Sequence, residues 1–387
     1  MRAILASHPG LERVVADAPA YRLQVVLGLV EPDRDGRPVL VQSGFRLGAE
    51  YFYPASAVKL FAAVAVLERL AELRRTTSLP IDADTPLAFH PLFAGEALED
   101  RDVSNSAGGR VTVRHQIRKL FLVSDNQAFN LLYELVGQDG LAASLERAGL
   151  GEARIVHRLA EARSAEENRR APRVDFLGEG FVHTLPERRA AELPPPSPLP
   201  GLEVGAAHLE GERRVEGPMD FSAKNRVSLA DLQRGLCKMA RPAVDCGGPG
   251  FALEAADREL LLAAAGQYAR ESGNPVYDRA EHPDDEVKPL LPGLARVLPP
   301  ERLRIYNKIG WAYGFTTENA WVVDVATGRS FFLAATLYTN ADGVLNDDRY
   351  EYAEVARPFL ADLGEAVARR LWERADPAVA PAQPGQQ

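Results

Sequence analysis

The chain has 387 residues and a formal net charge of -9. That acidic balance argues against nucleic acid and anionic membrane surfaces as partners. Hydrophobic residues make up 46% and charged residues 26%, the make-up of a folded globular protein, and no apolar run approaches the roughly 20 residues of a membrane span.

The length suffices for two domains or one large two-lobed one. His8 and Pro9 interrupt the N-terminus before an apolar stretch develops, so no signal peptide is read there and the compartment stays open. Cys237 and Cys246 are too few for a metal site and form no C-x-x-C. A local disulfide is one reading, and a pair of inert buried thiols is the preferred one. No metal or organic cofactor is suggested.

Residues 11–16 read as a short amphipathic helix. Residues 21–30 and 39–47 read as strands around the turn Asp33-Arg34-Asp35-Gly36. Pro54-Ala55-Ser56-Ala57-Val58-Lys59 then opens a helix that is apolar nearly all round to Leu73. Such a helix belongs in the middle of a domain, and Tyr51, Phe52 and Tyr53 ahead of it are expected to pack. Residues 101–110 form a polar loop. Thr112 caps a helix to 123, with Val113, Ile117, Leu120 and Phe121 on one stripe. Ser124-Asp125-Asn126 breaks it. One helix follows over 128–136, ended by Gly137, and another runs from Asp139 to Gly149. Residues 152–173 are charged and of undefined structure.

Residues 179–217 hold Pro194-Pro195-Pro196 and Pro198, and are expected to be a flexible insertion. Helices follow over 229–239, capped by Ser228, and 253–269. The Gly-rich loop 246–250 lacks the strand, helix and Lys of a phosphate-binding loop. The acidic run 281–286 is expected to be a solvated loop rather than a metal site. Residues 304–309, 319–325 and 330–339 read as three strands, and 350–372 as a closing helix. The tail from Ala375 is expected to be disordered.

This order implies an α/β (α+β) fold. A five-stranded antiparallel sheet is flanked by helices, and an all-α lobe is inserted between strands 2 and 3. The sheet lobe would take residues 11–60 and 300–372, the helical lobe 61–299, and the tail 373–387.

Ser56 and Lys59 share one helix face, so the amine can reach the hydroxyl, an arrangement suited to an activated nucleophile. By composition an S-x-x-K occurs roughly once in a chain of this length, and an S-D-N in roughly one chain in twenty. Here Ser56-Ala57-Val58-Lys59, Ser124-Asp125-Asn126 between two helices, and Lys308-Ile309-Gly310 on a strand stand in one order. That set resembles the class A β-lactamases and the penicillin-binding proteins, over approximately residues 21–372.

The resemblance implies Ser56 as acylated nucleophile, with Lys59 helping to deprotonate it. Ser124 would relay a proton to the leaving nitrogen, and Asn126 would hold Lys59 and the substrate amide. Lys308 would face the substrate carboxylate. The backbone N–H groups of Ser56 and of Trp311, which follows Gly310, would form the oxyanion hole. Neutralising an ordinary lysine at pH 7 costs about 4.6 kcal/mol, and burial beside Lys308 would lower that cost.

Three departures stand out, one being the long span between Ser124 and Lys308 that includes the Pro-rich insertion. The family's E-x-x-L-N loop, whose Glu activates the deacylating water, is missing. Glu161, Glu166 and Glu167 lie in the right region, Glu166 being the preferred substitute. Ile309 replaces a residue that usually offers a hydroxyl, and Thr316 or Thr317 is expected to replace it. The implied substrate is a small molecule or peptide, a β-lactam or a D-alanyl peptide. Other readings are a D-alanyl-D-alanine carboxypeptidase, an amidase or esterase, and a sensor that acylates without turnover. Such relatives usually work outside the cytoplasm.

Overall fold

The computed structural model describes residues 1–93, 104 and 108–373. Most of the expected loop at 101–110 and the tail from Ala375 lie outside the described residues.

Strands β1 (Gln24–Pro32) and β2 (Pro38–Phe45) form a hairpin in register from Val25↔Phe45 to Pro32↔Pro38. The Asp33 carboxylate closes its turn by accepting from the Asp35 and Arg37 N–H groups, each at 2.8 Å. The helical block holds α1 (Lys59–Thr77), α2 (Val113–Leu122), α3 (Asn126–Arg147), α4 (Leu229–Ala240) and α5 (Ala255–Gly266). The chain then returns as β3 (Leu303–Asn307), β4 (Gly310–Ala312), β5 (Phe315–Asp324) and β6 (Ser330–Tyr338), and closes with α6 (Arg357–Ala368).

The sheet runs β3-β5-β6-β1-β2, antiparallel throughout, and β4 continues beside β5. The third strand of the expected sheet is thus broken at Lys308 and Ile309. Alternation along β6 shows why both faces are covered. Phe332 and Ala334 join the core shared with α1, α3 and α4. Phe331, Leu333, Ala335 and Leu337 join the core shared with α6 and the N-terminal helical turns. Helix α1 is buried from Lys59 to Leu67, as its unbroken apolar run requires.

Caps fall where the sequence puts them. Thr112 accepts from His115 N–H at 3.2 Å and Ser228 from Asp231 N–H at 3.0 Å. Asp125 caps α3 by accepting from Ala128 N–H at 2.7 Å. The run α3 is two helices that meet at Gly137, whose φ of 80 and ψ of 162 are non-helical and set the kink where the sequence breaks the pattern.

Three expectations are corrected. Residues 179–217 are not an unstructured excursion. They hold the second half of a hairpin, Val174–Gly178 with Phe181–Leu185, and a second hairpin, Ala207–Glu210 with Arg213–Glu216. Strands of four or five residues carry too little periodicity to be read from sequence. Cys237 and Cys246 are a disulfide, with Cα atoms 6.0 Å apart. The acidic loop carries paired rather than solvated charge: Asp284 meets Arg270, Asp285 meets Arg357, and Glu286 meets His282.

Candidate active site

Ser56 lies on a 3-10 turn (Ala55–Val58) that precedes α1, not in the α-helix itself. Side chains three apart eclipse in such a turn, so Ser56 and Lys59 project in the same direction. The Lys59 ammonium donates to Asn126 Oδ1 at 2.7 Å, to Asp125 O at 3.1 Å and to Ser124 O. A longer contact reaches Ser124 Oγ at 3.4 Å. Ser56 is not among its partners, so its hydroxyl is left facing the cleft that it lines.

The sheet delivers the second lysine. Lys308 N–H donates to Asn319 O at 3.1 Å, fixing the segment beside β5. Its ammonium donates to Ser124 Oγ at 2.8 Å and to Ile309 O at 2.7 Å. Ser124 Oγ therefore accepts from Lys308, and its own proton can point into the cleft. Burial pushes Lys59 well below the usual lysine range, and the neighbouring Lys308 charge adds to the shift. Burial brings Lys308 down to about 7, against the pull of Glu318.

Behind Lys308 lies a buried polar network. Asn307 Nδ2 donates to Glu318 Oε1 at 3.0 Å, and Asn307 Oδ1 accepts from Lys288 at 3.0 Å. Burial raises Glu318 to about 7 and lowers Lys288 to about 7. The sequence reading missed all three, because nothing local marks a residue whose partners come from other strands.

Gly310 explains the K-x-G spacing physically. A Cβ there would lie 2.4 Å from Pro54 O, 2.6 Å from Ala57 N and 2.7 Å from Ser56 N. Only a glycine lets β4 press against the turn that holds Ser56. Trp311, the next residue, lines the same cleft. The cleft encloses about 700 Å³, with Tyr53, Trp311, Tyr313, Tyr350 and Tyr352 as aromatic walls and Glu286 and Asp348 as its carboxylates. Among the described residues nine non-glycine positions have positive φ, and six of them line this cleft: Ala55, Ser124, Ala160, Tyr313, Asn346 and Asp348. Strain held in one place by its surroundings marks a functional site.

Two expected residues lie elsewhere. Glu166 is on the short helix Ala165–Asn168, at the surface, where Arg189 and Arg169 hold its carboxyl below the usual range. It does not line the cleft, and the expectation that it serves Ser56 does not fit this placement. The loop instead brings Leu159 and Ala160 to the cleft. Asn130 fixes that approach: its Oδ1 accepts from Leu159 N–H at 2.9 Å and its Nδ2 donates to Leu159 O at 3.0 Å. The fully buried Arg158 pins the same loop through Glu134 at 2.8 Å and Arg170 O at 3.0 Å. Glu161 turns from the cleft to Asn130 Nδ2 at 2.9 Å and to Arg163.

Thr316 is also misplaced. Thr317 Oγ1 meets Thr336 Oγ1 at 2.9 Å, and Asn319 donates to Leu232 O of α4 at 2.8 Å. Alternation puts Thr316 with Glu318 on the opposite face of β5. Its hydroxyl is buried without a partner, so it does not replace the hydroxyl missing at Ile309.

The sheet, the helical lobe and this cleft are arranged as in the β-lactamase-like fold. Residues 44–175 match the Beta-lactamase enzyme family. The chain is similar to a β-lactamase from Desulfarculus baarsii at 19% identity and a TM-score of 0.50, covering 94% of this chain and 97% of that one. It is also similar to a class A β-lactamase from Mycobacterium abscessus, at 16% identity and a TM-score of 0.49, over 93% and 98% of the two chains. No curated protein matches the chain. At 19% identity the first likeness carries the fold and leaves the substrate to the chemistry of the cleft.

Proposed function

We propose that Ser56 is the nucleophile of an acyl-enzyme cycle on amides bearing a carboxylate, with β-lactams and D-alanyl peptides as the substrate classes. The observation that carries this reading is the Ser124 hydroxyl held between two buried lysines, in the cleft that Ser56 lines. Neutral Lys59 takes the Ser56 proton as Oγ bonds to the carbonyl carbon. The backbone N–H groups of Ser56 and Trp311 receive the developing oxyanion. The C–N bond then breaks, Ser124 passes its proton to the leaving nitrogen, and Lys59 replaces that proton. Lys308 and Asn126 hold the substrate carboxylate and amide. Water then cleaves the ester and restores the Ser56 hydroxyl.

Leu159 favours a second reading for the last step. No carboxylate of that loop lines the cleft, so water at the ester lacks the base such a loop would supply. The acyl-enzyme then persists, as in a penicillin-binding peptidase or a sensor. Intact-mass spectrometry after mixing with a penicillin tests both, with Ser56→Ala as control. An adduct in the wild type alone supports acylation at Ser56, and its lifetime separates turnover from persistence. No adduct together with no consumption of the penicillin would overturn β-lactams as a substrate class.

A further inference from the structure

A second cavity, of about 670 Å³, opens beside the loop that carries Leu159. Arg154 and Arg226 line it from the two sides of an isolated antiparallel bridge. Arg154 N–H donates to Arg226 O at 2.7 Å, and Arg226 N–H to Arg154 O at 2.8 Å. Like charges directly opposite one another destabilise such a pairing unless something compensates them. Lys224 lines the same cavity and adds a third positive charge.

These three cations meet no carboxylate among the described residues. Arg154 donates to the carbonyls of Gly151 and Ala153, and Arg226 to Ser197 O at 2.6 Å. The Lys224 ammonium lies over the Tyr313 ring, 5.7 Å from its centre. The cavity's own carboxylates are already matched: Glu161 with Arg163, and Glu166 and Glu192 with Arg169. Arg154 Nε is buried with no partner at all. Guanidinium groups pair with phosphate and carboxylate oxygens in a planar, two-pronged fashion, and the volume suits a small molecule.

We propose that this cavity binds a small multivalent oxyanion, a molecule carrying phosphate or several carboxylates, at a site separate from the Ser56 cleft. The two cavities share a wall. His157 lines the second and stacks on Tyr53 of the first, with ring centres 6.2 Å apart. Lys224 reaches Tyr313 of the first in the same way. Occupancy therefore bears on two residues that face the substrate.

The test is calorimetric titration and thermal denaturation with inorganic phosphate and, separately, citrate, at constant ionic strength. The proteins are wild type, Lys224→Gln, the double variant Arg154→Gln/Arg226→Gln, and Arg13→Gln as an exposed control that matches the single charge change of Lys224→Gln. Saturable binding to wild type and Arg13→Gln, weakened tenfold or more in the other two, supports the site. Whichever anion binds assigns the ligand as phosphorylated or polycarboxylate. The bridge between Arg154 and Arg226 is made by main-chain atoms, so it survives the double substitution. Should that variant still fail to fold, Lys224→Gln decides alone. No saturable binding of either anion, or equal binding by Lys224→Gln and wild type, would overturn the proposal.

Discussion

Gly310→Ala is the sharpest test of the site's geometry. The added methyl would lie 2.4–2.7 Å from Pro54 O, Ala57 N and Ser56 N. Comfortable contact needs about 3.5 Å, so the overlap is about 1 Å on three atoms at once. All three belong to the main chain, and no side chain can swing aside. Strand β4 must move away from the Ser56 turn, at an overpacking cost of about 1–3 kcal/mol. The same movement parts the Ser56 and Trp311 N–H groups. Losing one oxyanion donor typically slows such chemistry by about 10²–10³-fold, or about 2.7–4 kcal/mol. The assay is the rate of Ser56 acylation by a penicillin, followed by intact mass, with thermal denaturation in parallel. Acylation is expected to slow at least about 100-fold while the variant still unfolds cooperatively. Gly36→Ala is the control. It strains a hairpin turn at φ 78, its methyl meets nothing within 4 Å, and its acylation rate should match wild type. A folded Gly310→Ala that acylates at the wild-type rate would refute the oxyanion-hole assignment.

Two further outcomes follow from the lysines and the loop. Lys308 falls to about 7, so its ammonium is present below that pH and lost above it. Acylation by carboxylate-bearing substrates should therefore decline about tenfold per unit as pH rises beyond it. Lys308→Arg, which stays charged, should abolish that decline; an unchanged profile would show that another group titrates. Leu159→Glu would bring a carboxylate to the cleft on a backbone already fixed by Asn130. The adduct lifetime should shorten by about tenfold or more, and an unaltered lifetime with intact acylation would count against the missing base as the cause.

Local chemistry was legible and distant chemistry was not. Ser56, Lys59, Ser124, Asn126 and Lys308 stand in short motifs, each beside its own helix or strand boundary, and they meet at one cleft or its rear wall. The caps at Thr112 and Ser228 were read from one turn of sequence for the same reason. Asn130 acts through Leu159, Arg158 through Glu134 and Arg170, and Glu318 through Asn307 on a neighbouring strand, and no pattern within a window announces them. Thr316 was misjudged because the break at Lys308 and Ile309 decides which face of β5 looks into the site. The disulfide was underrated because two cysteines nine apart pair only if the loop between them folds back.

That loop also reaches the margin of the sheet. Strand β2 is the last in its row, and an unpaired margin of this kind is a template for joining another chain. The stretch between the two cysteines covers part of it: Leu40 N–H donates to Asp245 O at 2.8 Å, and Asp245 N–H to Pro38 O at 2.9 Å. The Cys237–Cys246 bond ties this cover to the end of α4. The crosslink thus guards against association as well as unfolding. Reduced protein, its cover released, would expose Pro38 to Leu40 and self-associate through β2 before the Ser56 cleft changed.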